Sequence, residues 1–168
     1  MKLSAYISAV LLACSPLAFI RPVQVKGESM EPSLHSGQLV FALWPWCSGS
    51  PALGEIWVLK SPDGAAIKRV LALPGSELEQ RNGRLALDGK FLDEPYIAFW
   101  DKGNDGCWLA GLGYLLLGDN RPASRDSRAW GPIDKGSLRG RVITVTSYKM
   151  KTLAAARLAS QNTSVSFR

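Results

Sequence analysis

The chain has 168 residues, of which 46% are hydrophobic and 20% are charged. This composition is typical of a globular protein of about one domain and excludes a disordered or collagen-like chain. The 20 Lys and Arg residues against 14 Asp and Glu residues give a net charge of +6, but they are dispersed, so no nucleic-acid partner is predicted. A single His and three Cys are too few for a zinc site or a disulfide framework, and neither a metal nor a cofactor is expected.

The N-terminal residues 3–20 contain no charged side chain and are bounded by Lys2 and Arg21. As a helix they would extend over roughly 27 Å, which is enough to cross the hydrocarbon core of a bilayer. We therefore predict a membrane anchor over residues 1–24, with a cleaved signal peptide as the alternative. The charges on either side do not decide the orientation of this segment.

Residues 25–150 contain frequent Gly and Pro turns between short apolar or alternating runs. These runs comprise residues 39–44, 55–60, 66–73, 84–87, 113–117 and 141–147. The pattern favours a mainly β domain, an antiparallel β-sandwich or distorted barrel. Asn82-Gly83 predicts a two-residue hairpin turn. Within the domain, residues 76–112 are expected to form a small β appendage, and residues 151–168 follow as a C-terminal tail.

A first polar stretch, residues 27–34, places Ser29 between a glycine and a proline. Gly27 can adopt backbone conformations that are barred to other residues, and Pro32 restricts the exit of the turn. Ser29 would then lie on a stiff loop, where its hydroxyl and its amide could meet a substrate carbonyl. The alternative is that Ser29 is an ordinary turn residue.

A second stretch, residues 65–75, reads as a strand that contains adjacent cations. Because side chains alternate along a strand, Lys68 shares a face with the small apolar residues 66, 70 and 72, and Arg69 lies on the other face. Lys68 either extends past this face to solvent or is buried. Burial would lower the pKa of its amine from about 10.4 toward about 7–8, where the neutral amine can accept a proton.

A third stretch, residues 118–132, is a dense group of polar side chains after an apolar strand. It contains two hydroxyls, two carboxylates and three guanidiniums, on Ser124, Ser127, Asp119, Asp126, Arg121, Arg125 and Arg128. So many polar groups beside a core strand must bond to one another, so Asp–Arg pairs are expected within the stretch. The alternative is a solvated loop.

Together and in this order, the three stretches resemble those of bacterial type I signal peptidases, membrane-anchored Ser/Lys endopeptidases that remove signal peptides. The resemblance extends from about residue 27 to about residue 145 and includes Glu94-Pro95-Tyr96. It implies that Ser29 is the nucleophile and that Lys68 is the general base. It further implies that Ser124 orients the lysine amine and that Asp126 and Arg128 pair beneath the site.

The resemblance also implies an oxyanion hole to which the backbone N–H of Ser29 contributes. Some family members supply a second donor from a Ser two residues before the nucleophile, where this chain has Gly27, so the second donor stays open. A triad of the Ser-His-Asp type would need His35, which is too near Ser29 in sequence to favour that geometry.

The implied substrates are exported preproteins that are cut after Ala-x-Ala-like sites, on the extracytoplasmic side of the cytoplasmic membrane. Trp44 and Trp46 are candidates for contact with lipid, although they could equally fill the β core. Met30, next to Ser29, is a candidate for contact with substrate. Cys47 and Cys107 could form a disulfide in an oxidising compartment.

Two rival functions share some of these features. One is a related Ser/Lys peptidase, either a conjugative-transfer enzyme that matures pilin or a self-cleaving repressor, although the apolar N-terminus argues against the repressor. The other is a catalytically silent, membrane-tethered β module that binds peptides. The oligomeric state is open.

Overall fold

The computed structural model describes residues 19–98, 101 and 105–143. Within these residues, ten strands form two sheets in which every neighbouring pair is antiparallel. The mainly β, antiparallel fold that the turn pattern indicates is therefore confirmed. The predicted anchor up to residue 18 and the predicted tail lie outside the described residues. In the described part of the chain, no helix has the length and apolar character that a membrane span requires.

The larger sheet has six strands in the order β1-β2-β10-β3-β4-β9. Its strands are β1 (Ile20–Gln24), β2 (Leu39–Leu43), β3 (Ile56–Ser61), β4 (Gly64–Ala72), β9 (Leu115–Leu117) and β10 (Leu138–Val142). Residues 20–24, which lie within the predicted bounds of the anchor, form β1, so the sheet begins earlier than expected. The last strand also begins earlier, because β10 starts at Leu138 rather than at residue 141.

The smaller sheet has four strands in the order β7-β6-β5-β8. They are β5 (Glu77–Arg81), β6 (Arg84–Leu87), β7 (Lys90–Phe91) and β8 (Gly106–Leu109). The hairpin between β5 and β6 closes at Asn82-Gly83, where both residues have positive φ, 50° and 80°, as the predicted turn requires. This sheet lies within residues 76–112, the range predicted for a β appendage.

Two apolar clusters cover the opposite faces of the larger sheet around β4. One combines the loop after β1 with β2, β3 and β10; its buried members are Val25, Met30, Leu34, Val40, Ala42, Ile56, Val58 and Val142. The other, on the opposite face, includes Trp57, Leu59, Val70 and Leu116. A third cluster joins the two sheets through Leu71, Leu78, Leu85 and Leu115. The residues of β4 on both sides of its two adjacent cations belong to these clusters, which hold that part of the strand in place.

Helical structure is short and follows the polar stretches. Helix α1 (Ser127–Trp130) begins after Asp126, whose carboxylate accepts a hydrogen bond from the backbone N–H of Arg128. An Asp at this position satisfies an N–H group that the first helical turn leaves without a partner. Single 3₁₀ turns occupy Pro45–Cys47 and Lys135–Ser137.

Candidate active site

Ser29 lies on the turn that connects β1 to β2. Gly27, which begins the turn, has a φ of 77°, so the conformational freedom of glycine is used there. Beneath the turn, the side chains of Met30 and Leu34 are buried, and the Leu34 N–H donates to the Met30 carbonyl at 2.9 Å. These contacts leave the Ser29 side chain on the outer side of a turn that is fixed from below.

Met30 is 1% exposed and belongs to the apolar cluster under the turn. This burial describes the chain without substrate, so contact of Met30 with substrate stays a prediction. An unbranched apolar side chain fills an irregular space beneath a turn well, which accounts for its inward position. Met30 supports the Ser29 turn from inside the domain.

Lys68 lies in the middle of β4, opposite Trp57 of β3. Its residue is 3% exposed, so the alternative that its amine extends to solvent is wrong. The Nζ atom lies 2.6 Å from Oγ of Ser29, and the two atoms are within hydrogen-bond distance. Val70, on the same face of β4, is fully buried, and the apolar face predicted for Lys68 is present.

Burial of Lys68 lowers the pKa of its amine from 10.5 to about 8. The negative charge of Asp126 opposes this shift, and the positive charge of Arg128 adds to it. An appreciable fraction of the amine is therefore neutral near physiological pH, where an exposed lysine is fully charged. A neutral amine within 2.6 Å of a hydroxyl can take its proton and leave a nucleophilic oxygen.

Asp126 is 1% exposed and connects the parts of the third stretch. Its carboxylate accepts hydrogen bonds from the Ser124 hydroxyl at 2.7 Å, the Gly118 N–H at 3.1 Å and Arg128 Nε at 2.9 Å. The ion pair between Asp126 and Arg128 that the sequence predicted is present, and the alternative of a solvated loop is wrong. Asp126 thereby ties the strand end at Gly118 to the start of α1.

Ser124 is next to the reacting groups but makes a different bond from the one expected. Its hydroxyl donates to Asp126, and among the described contacts Lys68 Nζ bonds to Ser29 rather than to Ser124. The expected hydrogen bond from Ser124 to the lysine amine is therefore not formed. The Ser124 hydroxyl uses its single proton in the bond to Asp126.

Gly118 allows the third stretch to approach the Ser29 turn closely. A Cβ atom at this position would overlap both the Ser29 carbonyl oxygen and the Ser124 side chain. The neighbouring Asn120 donates its N–H to the same Ser29 carbonyl at 3.0 Å. The turn that carries Ser29 is thus held by backbone contacts that only glycine permits.

Arg69 has a role that the sequence did not reveal. It lies on the face of β4 opposite Lys68, as alternation predicts, and its Nε donates to Asp119 Oδ1 at 2.9 Å. Its guanidinium also donates to the Ser33 hydroxyl at 3.1 Å and lies 3.9 Å from the ring centre of Tyr96. The sequence predicted Asp–Arg pairs, but only within the third stretch, whereas Asp119 bonds to an arginine on another strand.

The two tryptophans do not fill the core. Their rings stack on each other at a centroid distance of 4.8 Å, and Trp46 is 70% exposed. The Arg21 guanidinium lies 5.0 Å from the ring centre of Trp44. The alternative that Trp46 belongs to the β core is therefore wrong.

The remaining candidates lie apart from the reacting pair. Cys47 and Cys107 are free thiols, so the possible disulfide is not formed, and Cys107 instead donates its S–H to Glu77 in the smaller sheet. The side chain of His35 is 67% exposed and lies 3.5 Å from Glu31. It forms no part of a triad with Ser29.

The chain is similar to known proteins along most of its length. Residues 2–147 match the family model described as "Signal peptidase, peptidase S26". Signal peptidase IB of Staphylococcus aureus is 31% identical over 161 residues, which cover 83% of this chain and 84% of that protein. The probable signal peptidase I-2 of Synechocystis is 34% identical over 146 residues, which cover 80% of this chain and 67% of that protein.

Among solved structures, a signal peptidase I from Enterococcus faecalis V583 is 31% identical in sequence. The superposition has a TM-score of 0.49 and covers 58% of this chain and 99% of that one. The match to the family model spans all three polar stretches, and the relative from Staphylococcus aureus is aligned over most of its own length. The chain belongs to the signal peptidase family, peptidase S26.

Proposed function

We propose that this protein is a type I signal peptidase that cleaves signal peptides from exported preproteins with a Ser29–Lys68 dyad. The observation that carries the proposal is the 2.6 Å separation of Ser29 Oγ and Lys68 Nζ on a face from which water is largely excluded. A binding module would need neither a buried lysine nor its contact with a hydroxyl.

In the proposed reaction, the neutral Lys68 amine takes the proton of Ser29 while Oγ attacks the scissile carbonyl carbon. The oxyanion that forms would be stabilised by the backbone N–H of Ser29, and one such donor is worth about 3–4 kcal/mol. The Lys68 ammonium then gives its proton to the leaving amine, and the peptide bond breaks to leave an acyl-enzyme. Lys68 next activates the water that hydrolyses this ester.

Asp126, Arg128 and Ser124 support the dyad in this proposal. Asp126 holds Gly118 and Ser124 in place, and its charge together with that of Arg128 adjusts the pKa of Lys68. The substrates are preproteins with small residues at the first and third positions before the cut, and a face of small and branched residues around Lys68 suits them.

We assign the membrane as the second partner. The side chains of Leu39, Phe41 and Trp46 are 58%, 40% and 70% exposed, and Arg21 lies beside this group. Exposed apolar and aromatic side chains next to a cation suit the interface of a bilayer. A single span in the apolar segment before β1 would lead directly into the domain, with the dyad on the extracytoplasmic side.

The catalytic proposal is tested with the purified full chain and a preprotein that carries an Ala-x-Ala site. Ser29→Ala and Lys68→Ala should each abolish cleavage, whereas Lys60→Ala, at an exposed position of β3, should leave it unchanged. The wild-type kcat/KM should rise with pH, reach half of its maximum near pH 8 and level off above that, because only the neutral amine accepts a proton. Cleavage that persists in either dyad variant contradicts the mechanism; preprotein binding without cleavage by the wild type favours a silent binding module.

The membrane proposal is tested by tryptophan fluorescence of the full chain in vesicles that contain brominated lipids. Quenching should fall in the Trp44→Phe/Trp46→Phe variant. It should remain in the control variant Trp130→Phe, because the wild-type Trp130 indole is bonded to Asp63 in the turn between β3 and β4. Equal quenching in the two variants contradicts the proposed contact.

A further inference from the structure

Glu94 lies far from the three polar stretches in sequence, yet its side chain reaches the third of them. It lies in the segment between β7 and β8 of the smaller sheet, and its side chain is 1% exposed. Its carboxylate forms an ion pair with Arg121, whose side chain is also 1% exposed, and Arg121 Nη1 lies 3.3 Å from Oε2. The Tyr96 hydroxyl donates to the same carboxylate at 2.9 Å. A buried ionic pair with these partners is rigid while both charges are present.

Arg121 connects this carboxylate to the backbone beside Ser29. Its Nε donates to the Gly118 carbonyl at 2.9 Å, and its own carbonyl accepts from Arg128 Nη2 at 2.6 Å. Gly118 is the residue against which the Ser29 carbonyl and the Ser124 side chain pack. The position of the Arg121 guanidinium therefore influences the backbone that holds the Ser29 turn.

The smaller sheet supplies a second carboxylate in the same way. Asp101 lies 3.1 Å from Arg128, which in turn binds Asp126. Arg121 and Arg128 both line a cavity of about 350 Å³. Asp126 still holds Arg128 if Asp101 is lost, whereas the cavity gives the Arg121 side chain a place to turn once Glu94 is lost.

We propose that Glu94 is a positioning residue for the dyad, because through Arg121 it fixes the Gly118 backbone and with it the separation of Ser29 from Lys68. The kinetic consequence rests on the proposed peptidase function, whereas the structural consequence does not. Without the carboxylate, Arg121 carries an uncompensated buried charge and turns toward the cavity, which releases the Gly118 carbonyl. The charges that act on the Lys68 amine come from Asp126, Arg128 and Asp119, so Glu94 acts on it through geometry.

The test is Glu94→Gln in the full chain, with Glu79→Gln as the matched control. Glu79 is a carboxylate of the same sheet whose partner is Arg81, and the Arg81 side chain is 60% exposed. For Glu94→Gln we expect kcat on the preprotein to fall about 10- to 100-fold, with KM within about twofold, because a small misplacement of reacting groups acts on the chemical step. Glu79→Gln should behave as the wild type.

A second measurement is independent of activity. The pH dependence of the Lys68 ε-carbon NMR shift reports the pKa of the amine, which should rise from about 8 in Glu94→Gln as the loosened turn admits water. A Glu94→Gln variant with wild-type kcat and an unchanged Lys68 pKa overturns the inference. If the wild type cleaves no preprotein, the proposed function fails and the NMR titration still decides the role of Glu94.

Should Glu94→Gln fail to fold, the double variant Glu94→Gln/Arg121→Gln removes both buried charges and avoids the uncompensated one. The shorter glutamine cannot replace the donor to the Gly118 carbonyl, so the double variant should still show the reduced kcat and the raised Lys68 pKa. Wild-type values of both in a folded double variant also overturn the inference.

Discussion

Lys68 and Arg69 are adjacent cations of β4, and each is largely buried, but they enter opposite faces of the sheet. On the Arg69 face, the hydrogen bonds and charge of Asp119 outweigh the effect of burial, so the pKa of Arg69 is raised. On the Lys68 face, burial dominates and the pKa falls to about 8. Asp126 raises this pKa only through the attraction of its charge, without a hydrogen bond to the amine, and the positive charge of Arg128 lowers it. Burial lowers the pKa of the Lys68 amine because no carboxylate bonds to it directly.

The comparison also explains why the two residue types are not interchangeable at these positions. Arg69 uses its planar guanidinium to bond Asp119 and Ser33 at once and to lie over the Tyr96 ring. Lys68 has one compact amine, which bonds to Ser29. A guanidinium stays charged at every pH that a protein tolerates, whereas a buried ammonium can lose its proton.

The largest effect is expected when Lys68 is replaced by an arginine, which stays charged as Arg69 does. Lys68→Arg should lower kcat/KM on the preprotein on the order of 10⁴-fold, or about 5.5 kcal/mol, because a guanidinium cannot act as the general base. Steady-state cleavage assays measure the loss, and Lys60→Arg at the exposed position of β3 serves as the control. Cleavage within tenfold of the wild type in Lys68→Arg would remove the lysine from the mechanism.

The next largest effect is expected on stability, when Arg69 is deprived of its carboxylate. Asp119→Asn should lower the free energy of unfolding by about 3–5 kcal/mol, because the guanidinium stays buried without its counter-charge. Asp119 is fully buried, and the Arg69 side chain is 11% exposed. Urea denaturation followed by circular dichroism gives the value.

The matched control for that experiment is Asp63→Asn. Asp63 pairs with Arg125, but the two side chains are 43% and 70% exposed, and such pairs contribute at most about 1 kcal/mol. Equal losses in the two variants would show that burial does not distinguish these ion pairs.

The sequence predicts the opposite faces of Lys68 and Arg69 because alternation along a strand is a local property of the backbone. It predicts the hairpin at Asn82-Gly83 for the same reason, since the turn depends on two residues that accept positive φ. The nearness of Ser29 to Lys68 followed only from resemblance to a family. Strand periodicity alone left two alternatives open for Lys68, burial and extension to solvent.

The sequence did not predict which residues pair with the buried ions, because these pairs depend on how the strands and loops pack and not on the distance between residues along the chain. Asp119 and Arg121 both lie in the third stretch, where short-range pairing was expected, yet they bond to Arg69 on β4 and to Glu94 after β7. The inward position of the Met30 side chain was not predicted for a related reason, since packing of the turn on the core directs it there. The resemblance implied a bond between Ser124 and the lysine amine, whereas the Ser124 hydroxyl donates to Asp126.

The smallest effect is expected on the pH dependence of the free energy of unfolding, because Lys68 is buried. The pKa of its amine is about 8 in the folded chain and 10.5 as its ordinary value, so between these pH values the unfolded chain binds more protons. Wild-type stability should therefore rise with pH across this window, by about 3 kcal/mol at 1.36 kcal/mol for each pKa unit. Below pH 8 both states are protonated and the full penalty applies.

Lys68→Met removes this titration while it keeps an unbranched apolar stem. Its advantage in unfolding free energy over the wild type should be largest at and below pH 7 and should shrink by about 3 kcal/mol by pH 10.5, as urea titrations at a series of pH values would show. For Lys60→Met, at the exposed position of β3, the difference from the wild type should stay constant over the same range. A constant difference for Lys68→Met as well would mean that the Lys68 amine is not desolvated, and the contrast between the two faces of β4 would fail.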